Sequence, residues 1–571
     1  MSADSIGPGL LPAAVVQLAG RIVRQCAEDT GPDAPSLTAV CALALHQLSQ
    51  GHTRVDLSDS GRVLLAPRDA REGRERIEVG VPASLREAVE RAADRASMLV
   101  ARMDVSDAAA VMRPLVIEGL FLSLARCRND ECALAQALRQ RARIRDDAGD
   151  RERMALSLCA SWGDAALDDA QRRAVVCSAT RRLAIVTGGP GTGKTTVAAR
   201  IAAAHGHILS ARGARAALRL LAPTGKAAGR LSESFAAAAA SLPDGHGAAL
   251  QGCLATTVHS ALQSRGRDGL DRATMVILDE ASMVDLALMR RLADEVPADA
   301  TLVVLGDPHQ LASVEAGTVL ADMTEPASSI ADSITRLERS HRFGGESPVG
   351  QLARATLDGD ADAALAMLGP GAAARGASGV RLLDCRTDRE IIRATIGLFR
   401  DRGRDMAILC AHRHGATGTL EINRLCAEAS GARISDPLSA VHWEGRPVIV
   451  TENDHALGLM NGDVGVMRAA PDGRLEAMFR GRDAGVPASI LPAAESAYAL
   501  TIHKSQGSEF DDVTVVLPSG ASPIISRELI FTGITRARKS VTLIGPPERI
   551  REAIGRRVAR ASGLSDRMRI G

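Results

Sequence analysis

The 571-residue chain is nearly without aromatic side chains: one Tyr, two Trp and seven Phe. That shortage excludes a long nucleic-acid channel paved with stacking platforms. Lysine is scarcer still for its class. Only Lys194, Lys226, Lys504 and Lys539 stand among 69 basic residues, the rest being arginine. Such usage puts arginine wherever any cation serves, so a retained lysine marks a place needing a compact ammonium. Neither charge dominates: 69 basic and 68 acidic residues leave a net charge of +1, so a polyanionic partner would meet a local groove and no global field. No apolar run reaches the ~18 residues of a membrane span. The apolar stretch 10–20 follows Asp4 without a Lys or Arg and is broken by Pro12, unlike a secretory signal. Ten cysteines include no CxxC pair, the pattern of thiols in a reducing cytosol, and a cytoplasmic location is the expectation.

What is present is length and an ordinary apolar content of 46%, enough for three or four domains at roughly 150 residues each. Residues 1–150 read as helical, with apolar positions at helical spacing in 10–26, 37–48, 85–99 and 111–125 and strand-like alternation only at 53–57 and 63–65. Nothing there forms a catalytic cluster, and a packing or partner-docking domain is expected. From about 155, short apolar runs at 183–187, 218–222, 275–278 and 301–305 alternate with helical stretches, the signature of a parallel sheet with right-handed crossovers. The Ala-rich stretch 235–249 reads as an exposed helix or a loop, and the Gly/Ala-rich stretch 368–379 as an interdomain connection. A second unit follows, with runs at 406–410, 513–517 and 541–544; between the first two lies a Gly-, Pro- and Val-rich segment, 433–494, expected to be an inserted β module. The fold class is α/β, with two such units in tandem, expected at 151–345 and 346–571.

Gly188-Gly189-Pro190-Gly191-Thr192-Gly193-Lys194-Thr195 fits GxxxxGK[ST], after a strand-like run and before a helical one. Glycines let successive backbone N–H groups wrap phosphates; Lys194 would reach the β- and γ-phosphates of a nucleotide and the Thr195 hydroxyl a Mg²⁺ ion, with Thr196 beside it. The rival dinucleotide fingerprint has no use for that lysine. Met275-Val276-Ile277-Leu278-Asp279-Glu280 is an apolar strand ending in two acids, which would deliver Asp279 to Mg²⁺ and Glu280 to an attacking water as general base. Gly306-Asp307-Pro308-His309-Gln310 ends a further buried run, where Gln310 would sense the γ-phosphate; a plain strand-to-loop turn is the alternative.

These elements in this order resemble a superfamily 1 helicase, and further segments narrow the likeness. Leu221-Ala222-Pro223-Thr224-Gly225-Lys226 resembles motif Ia and Thr256-Thr257-Val258-His259 the segment after it. Ser340-His341-Arg342-Phe343 resembles motif IV, the segment from Thr501 through His503-Lys504-Ser505-Gln506-Gly507-Ser508-Glu509-Phe510 motif V, and Thr532-Gly533-Ile534-Thr535-Arg536-Ala537-Arg538 motif VI. Motif V, with Gly445-Arg446-Pro447, Asn461-Gly462-Asp463 and Arg527-Glu528-Leu529, is similar to the RecD family, the alpha subunit of exodeoxyribonuclease V.

That resemblance implies two RecA-like P-loop motor domains, an SH3-like identity for the inserted module, and an ATP-driven 5′-to-3′ motor on single-stranded DNA. It also implies RecB and RecC as partners in double-strand break repair by recombination. By the same resemblance Gln171 would read adenine, Gly507 and Glu509 would help bind the nucleotide, and Arg342 and Arg536 would neutralise charge on the γ-phosphoryl. Pro223, Thr224, Lys226, His259, Thr501, His503 and Lys504 are the candidate DNA contacts; helix caps and packed histidines are the plainer reading of the Thr and His residues.

Two alternatives remain: a stand-alone RecD-like helicase, and a non-motor scaffold in which ATP only sets assembly. About 150 residues before the motor favour the complex subunit over the former, and Glu280, Gln310, Arg342 and Arg536 together argue against the latter. An intrinsic nuclease of the acid-x-Lys type is not expected, because the residues two before the four lysines are Thr192, Thr224, Ile502 and Ala537.

Overall fold

The computed structural model describes residues 11–26, 33–58, 62–65, 77–95, 98–163, 167–266, 269–313, 315–339, 347–369, 379–431, 443–454, 456–479, 482, 484–522, 524–558 and 560–570. The expected connection at 368–379 and the first residues of the expected β module therefore lie largely outside the described residues.

The expectation of a helical N-terminal domain with strand-like stretches only at 53–57 and 63–65 is corrected: those two stretches do carry strands, but four more accompany them. Helices Ala13–Gln25, Ala34–Ser49 and Ala83–Asp94 are present, but so are six strands: β1 (Arg54–Asp56), β2 (Arg62–Leu65), β3 (Ile77–Gly80), β4 (Val100–Arg102), β5 (Leu115–Glu118) and β6 (Phe121–Leu124). They form a sheet in the order β1-β6-β5-β4 and a separate β2-β3 hairpin. The apolar run at 111–125 is a hairpin. Gly119, at φ 57°, turns β5 into β6, and every residue of β5 is buried, so no alternation betrays the strand. Helices Ala125–Ala142 and Ala148–Ser161 lead out of this region.

The first lobe is a six-stranded sheet of β7 (Leu183–Gly188), β8 (Leu218–Ala222), β9 (Ala255–Thr257), β10 (Met275–Leu278), β11 (Thr301–Gly306) and β12 (Ile334–Leu337), in the order β12-β7-β11-β10-β8-β9 with every pair parallel. Its central strands are apolar on both faces, because helices cover both. The stretch expected to be an exposed helix or a loop is instead partly core. Phe235 and Ala239, on helix Gly225–Ala240, are buried against the sheet, and two short turns follow.

The second lobe is parallel too: β13 (Val380–Asp384), β14 (Met406–Cys410), β20 (Ala499–Thr501), β21 (Phe510–Val516) and β22 (Ala537–Gly545), ordered β13-β22-β21-β14-β20. Between β14 and β20 the chain builds a small antiparallel sheet from β15 (Pro447–Val450), β16 (Val464–Ala469), β17 (Leu475–Phe479), β18 (Val486–Pro487) and β19 (Ala494–Ser496), with its own core of Val448, Val450, Leu459, Met467, Ala477 and Phe479.

After the second lobe's helix Pro547–Gly555, the chain returns to the first. The Ala561 backbone bonds to the N-terminal domain, its carbonyl accepting from the Thr53 amide at 3.0 Å and its amide donating to the His52 side-chain Nδ1 at 3.0 Å. Helix Leu564–Arg569 then buries Leu564 and Met568 in the first lobe's core. Arg567 is buried between Glu118 (2.5 Å) and Glu131 (3.4 Å), and Glu131 also accepts from the Thr53 hydroxyl and the Gly563 amide.

Candidate functional site

β7 delivers Gly188 to a loop that closes into helix Lys194–Ala211, with Gly191 and Gly193 at left-handed φ of 77° and 83°. Gly188 is demanded by crowding: a Cβ there would stand 2.5 Å from Thr192 Oγ1 and 2.9 Å from the Leu337 carbonyl oxygen of neighbouring β12. Lys194 Nζ donates to the carbonyls of Gly188 (2.7 Å) and Gly189 (3.0 Å), and Thr192 Oγ1 also donates to Gly189 (2.9 Å). Pro190 lies in the loop, and Thr195 and Thr196, half-buried, stand in the helix's first turn. Exposed N–H groups, a helix N-terminus and an ammonium converge as an anion site requires.

β10 ends beside β8, where the Asp279 amide donates to the Leu221 carbonyl (2.9 Å) and the Asp279 carboxylate accepts from the Glu280 amide (2.8 Å). Enclosure pushes the Asp279 pKa up and the neighbouring Glu280 charge adds to it, while Lys194 and Arg230 pull it down. Glu280 has φ 52°, the one left-handed non-glycine among the described residues. Such a backbone costs about 1–3 kcal/mol and is concentrated at functional sites.

β11 delivers Asp307, buried and also raised in pKa by burial against the pull of Lys194. Asp307 accepts from the His309 amide (3.0 Å) and the Gln310 side chain (3.3 Å). Gln310 is 6% exposed, and its Oε1 has no partner among the described residues. A buried unpaired amide oxygen costs roughly 1–3 kcal/mol, which favours a sensing role over a plain turn. The next residue, Leu311, is clamped by the second lobe: its amide donates to Thr532 Oγ1 (3.1 Å) and its carbonyl accepts from Gln506 Nε2 (3.0 Å).

Arg536 is 3% exposed and donates to the carbonyls of Thr532 (3.2 Å) and Ser508 (3.3 Å). Gly507, at φ 70°, packs over Ala227 of the first lobe, and its carbonyl accepts from Arg230 (3.2 Å). Glu509 is ion-paired with Arg230 of the first lobe and with Arg538 (3.2 Å) of the second. Arg538 lies on strand β22, and the helix Arg527–Ile534 ends before Arg536. Arg342 lies outside the described residues.

The phosphate loop thus opens on a cleft of about 1480 Å³ walled by both lobes. Gly188, Gly189, Asp307 and Gln310 line one side, Phe531 and Thr535 the other, and Gln50 of the N-terminal domain reaches its edge. Gln171 is buried in a capping box with Asp168 at the start of helix Asp169–Thr180, the helix preceding β7.

The candidate DNA residues do not share one place: Pro223, Thr224 and His259 follow β8 and β9, Thr501 ends β20, and His503 lines the same cleft as the phosphate loop. Thr224 caps helix Gly225–Ala240 by accepting from the Ala227 amide (3.2 Å), next to half-buried Pro223, and His259 is exposed on the helix capped by Thr257. Thr501 accepts from the Lys504 amide (3.1 Å). Lys504 is paired with Glu495 (3.0 Å), so its charge is already answered. Lys226 packs beside Gly462 of the inserted module, and burial lowers its pKa against the pull of Asp463. Burial and Arg560 hold His503 below the usual histidine range. Among the described residues no cluster of three or more His, Cys, Asp or Glu suits a metal, and no helix is long and apolar enough to cross a membrane.

Arg230 escaped the sequence reading, which stopped that motif at Lys226. The signal was there: Arg230 follows Lys226 by four residues, on the same helix face.

A phosphate loop facing a cleft between two parallel α/β lobes defines a helicase-type ATP-binding protein, and family comparison agrees: an AAA domain matches residues 166–373 and a UvrD-like helicase C-terminal domain residues 496–544. RecBCD enzyme subunit RecD of Mycobacterium tuberculosis is 39% identical over 429 residues, covering 70% of this chain and 73% of that protein. The same subunit of Mycolicibacterium smegmatis is 40% identical over 431 residues, covering 70% and 74%. A Pif1 helicase structure at forked double-stranded DNA aligns over 66% of this chain and 91% of its own, at 15% identity and a TM-score of 0.39. The chain belongs to the RecD family of superfamily 1 helicases.

Proposed function

We propose that the chain is an ATP-hydrolysing DNA helicase, the RecD subunit of a RecBCD complex with RecB and RecC, moving 5′ to 3′ on single-stranded DNA in break repair. The observation that carries the reading is the phosphate loop facing a cleft with second-lobe residues on its far wall, so nucleotide chemistry and lobe position are linked. In this reading residues 151–345 are the first RecA-like motor domain and 346–571 the second, apart from the C-terminal stretch 561–570 that packs on the first lobe and the N-terminal domain; 1–150 docks the partners, and the antiparallel module near 433–494 is the SH3-like part.

ATP phosphates would replace the Gly188 and Gly189 carbonyls as acceptors for Lys194, held by the amides of Gly189, Gly191 and Gly193 and by Thr196. Gln171 would face adenine, and Gly507 and Glu509 would approach the nucleotide from the second lobe. Enclosure of the Asp279 carboxylate beside Glu280 favours a hard cation there, and Asp279 and Thr195 would hold Mg²⁺. That ion, when bound, neutralises phosphate charge. Glu280 would orient and deprotonate the attacking water, Gln310 would sense the γ-phosphate through its unpartnered oxygen, and Leu311 would pass that to Gln506 and Thr532. Arg536 and Arg342 would stabilise the charge developing on the transferred group. DNA would cross the lobes' edge by Pro223, Thr224, Lys226, His259, Thr501, His503 and Lys504, with backbone and small polar groups giving most contacts.

The test is ATP hydrolysis with and without single-stranded DNA, for wild type and Lys194→Gln, followed by unwinding of 5′-tailed and 3′-tailed duplexes with RecB and RecC present. Expected are DNA-stimulated hydrolysis, its loss in Lys194→Gln, and a preference for the 5′ tail. Hydrolysis indifferent to DNA would favour the scaffold.

A further inference from the structure

The turn Gly507-Ser508-Glu509 is held from two sides. From the second lobe, Arg536 donates to the Ser508 carbonyl (3.3 Å) and Arg538 pairs with Glu509 (3.2 Å). From the first, Arg230 uses two nitrogens at once: Nη1 donates to the Gly507 carbonyl (3.2 Å) while Nη2 is ion-paired with the Glu509 carboxylate. Only a guanidinium has the planar fork to engage a carbonyl and a carboxylate together. The approach is close: Gly507 sits with φ 70° over Ala227, one helical turn before Arg230, where even an added Cβ would lie 3.6 Å from the Ala227 Cβ. The Glu509 side chain is 10% exposed and oriented by its own lobe through Arg538, so this pair differs from the exposed ion pairs worth ~0–1 kcal/mol.

We propose that Arg230 is a positioning residue of the ATPase: its bidentate grip on Gly507 and Glu509 fixes the second-lobe turn whose Ser508 carbonyl holds Arg536, and so sets Arg536 against the first lobe, which carries Asp279. Arg230 touches neither reacting atom. It sets the distance at which the second lobe's arginine meets the nucleotide, and so governs how far DNA-driven lobe approach becomes hydrolysis. This rests on the ATPase reading above.

The experiment compares the full chain with Arg230→Ala and Arg230→Lys, measuring kcat and the ATP KM with saturating oligo-dT, together with thermal melting. Positioning predicts that Arg230→Ala loses about tenfold or more in kcat while KM stays within about threefold, and that Arg230→Lys, melting like wild type, regains less than about a third of the loss. A kcat for Arg230→Ala within twofold of wild type overturns the proposal. If Arg230→Ala melts early, Arg230→Lys decides: native melting with wild-type kcat means a structural cation and overturns it, whereas native melting with low kcat supports it. Failure of the underlying reading is seen separately, as a wild type without ATPase activity or a Lys194→Gln variant as active as wild type.

Discussion

Glu280 holds its strained backbone next to Asp279, an acid whose pKa burial and then the Glu280 charge raise. If Glu280 is the general base, Glu280→Gln keeps the geometry and removes the base; ATP binding should persist while hydrolysis falls by about 10²–10⁴, measurable as nucleotide affinity against turnover. Asp322 offers a residue-scale test of stability. It is buried, with burial and then the charges of Glu131 and Glu325 raising its pKa to about 7, and it accepts from the Thr318 hydroxyl at 2.9 Å. A carboxyl whose folded pKa lies above its unfolded 3.8 contributes stability that is present below about pH 4 and lost as pH rises through 7. Asp322→Asn should therefore melt above wild type at pH 8 and near it at pH 4, and an identical gap at both pH values would contradict the assignment. Residue type alone ranked the lysines unevenly. Lys194 does need a compact ammonium between two carbonyls, but Lys539 is an exposed partner of Asp511, where an arginine would also serve.

At the scale of elements, legibility followed burial and length. The runs at β7, β8, β10 and β11 were visible because three or four consecutive apolar residues, flanked by helices, mark a doubly covered parallel strand. Of the N-terminal strands, β1 and β2 showed at 53–57 and 63–65, but β5 and β6 did not, because their burial does not alternate and Gly119 alone separates their hairpin from an apparent helix. Helix Leu564–Arg569 was equally hidden, since six residues rich in charge give no hint that Arg567 is enclosed by two glutamates from distant segments. Removing one partner of such a buried network strands the others. Arg567→Ala should cost about 3–5 kcal/mol and be seen as early unfolding of the N-terminal region by hydrogen exchange, while Arg569→Ala, at an exposed pair with Glu325, should change little.

At the scale of the whole molecule, the near balance of charge and the fates of Lys226 and Lys504 bear on DNA binding. One is packed beside the inserted module and the other is paired with Glu495, so neither of the two lysines on the expected DNA path is free to displace counterions. The plot of log affinity against log salt should be shallow, with a slope of about −0.7 to −2, the value for one to three phosphates neutralised on a single strand. A slope near −5 in a salt titration would contradict this and call for an unrecognised basic groove. The tandem arrangement itself was legible because two sets of buried runs repeat the same alternation with helices. The cleft's cross-lobe contacts were not, since Leu311 and Gln506 are remote in sequence and meet only through tertiary packing.

The return of the chain from the second lobe to the first sets a mechanical limit. The Arg556 carbonyl is bonded to Arg527 in the second lobe and the Ala561 amide to His52 beyond it. Between these anchors run residues 557–560, which at ~3.6 Å per residue reach no further than about 18 Å. With both anchors engaged, the motor is a closed linkage with a short leash: its stroke is a swing or a slide of small amplitude, and wide gaping would first have to unseat the leash.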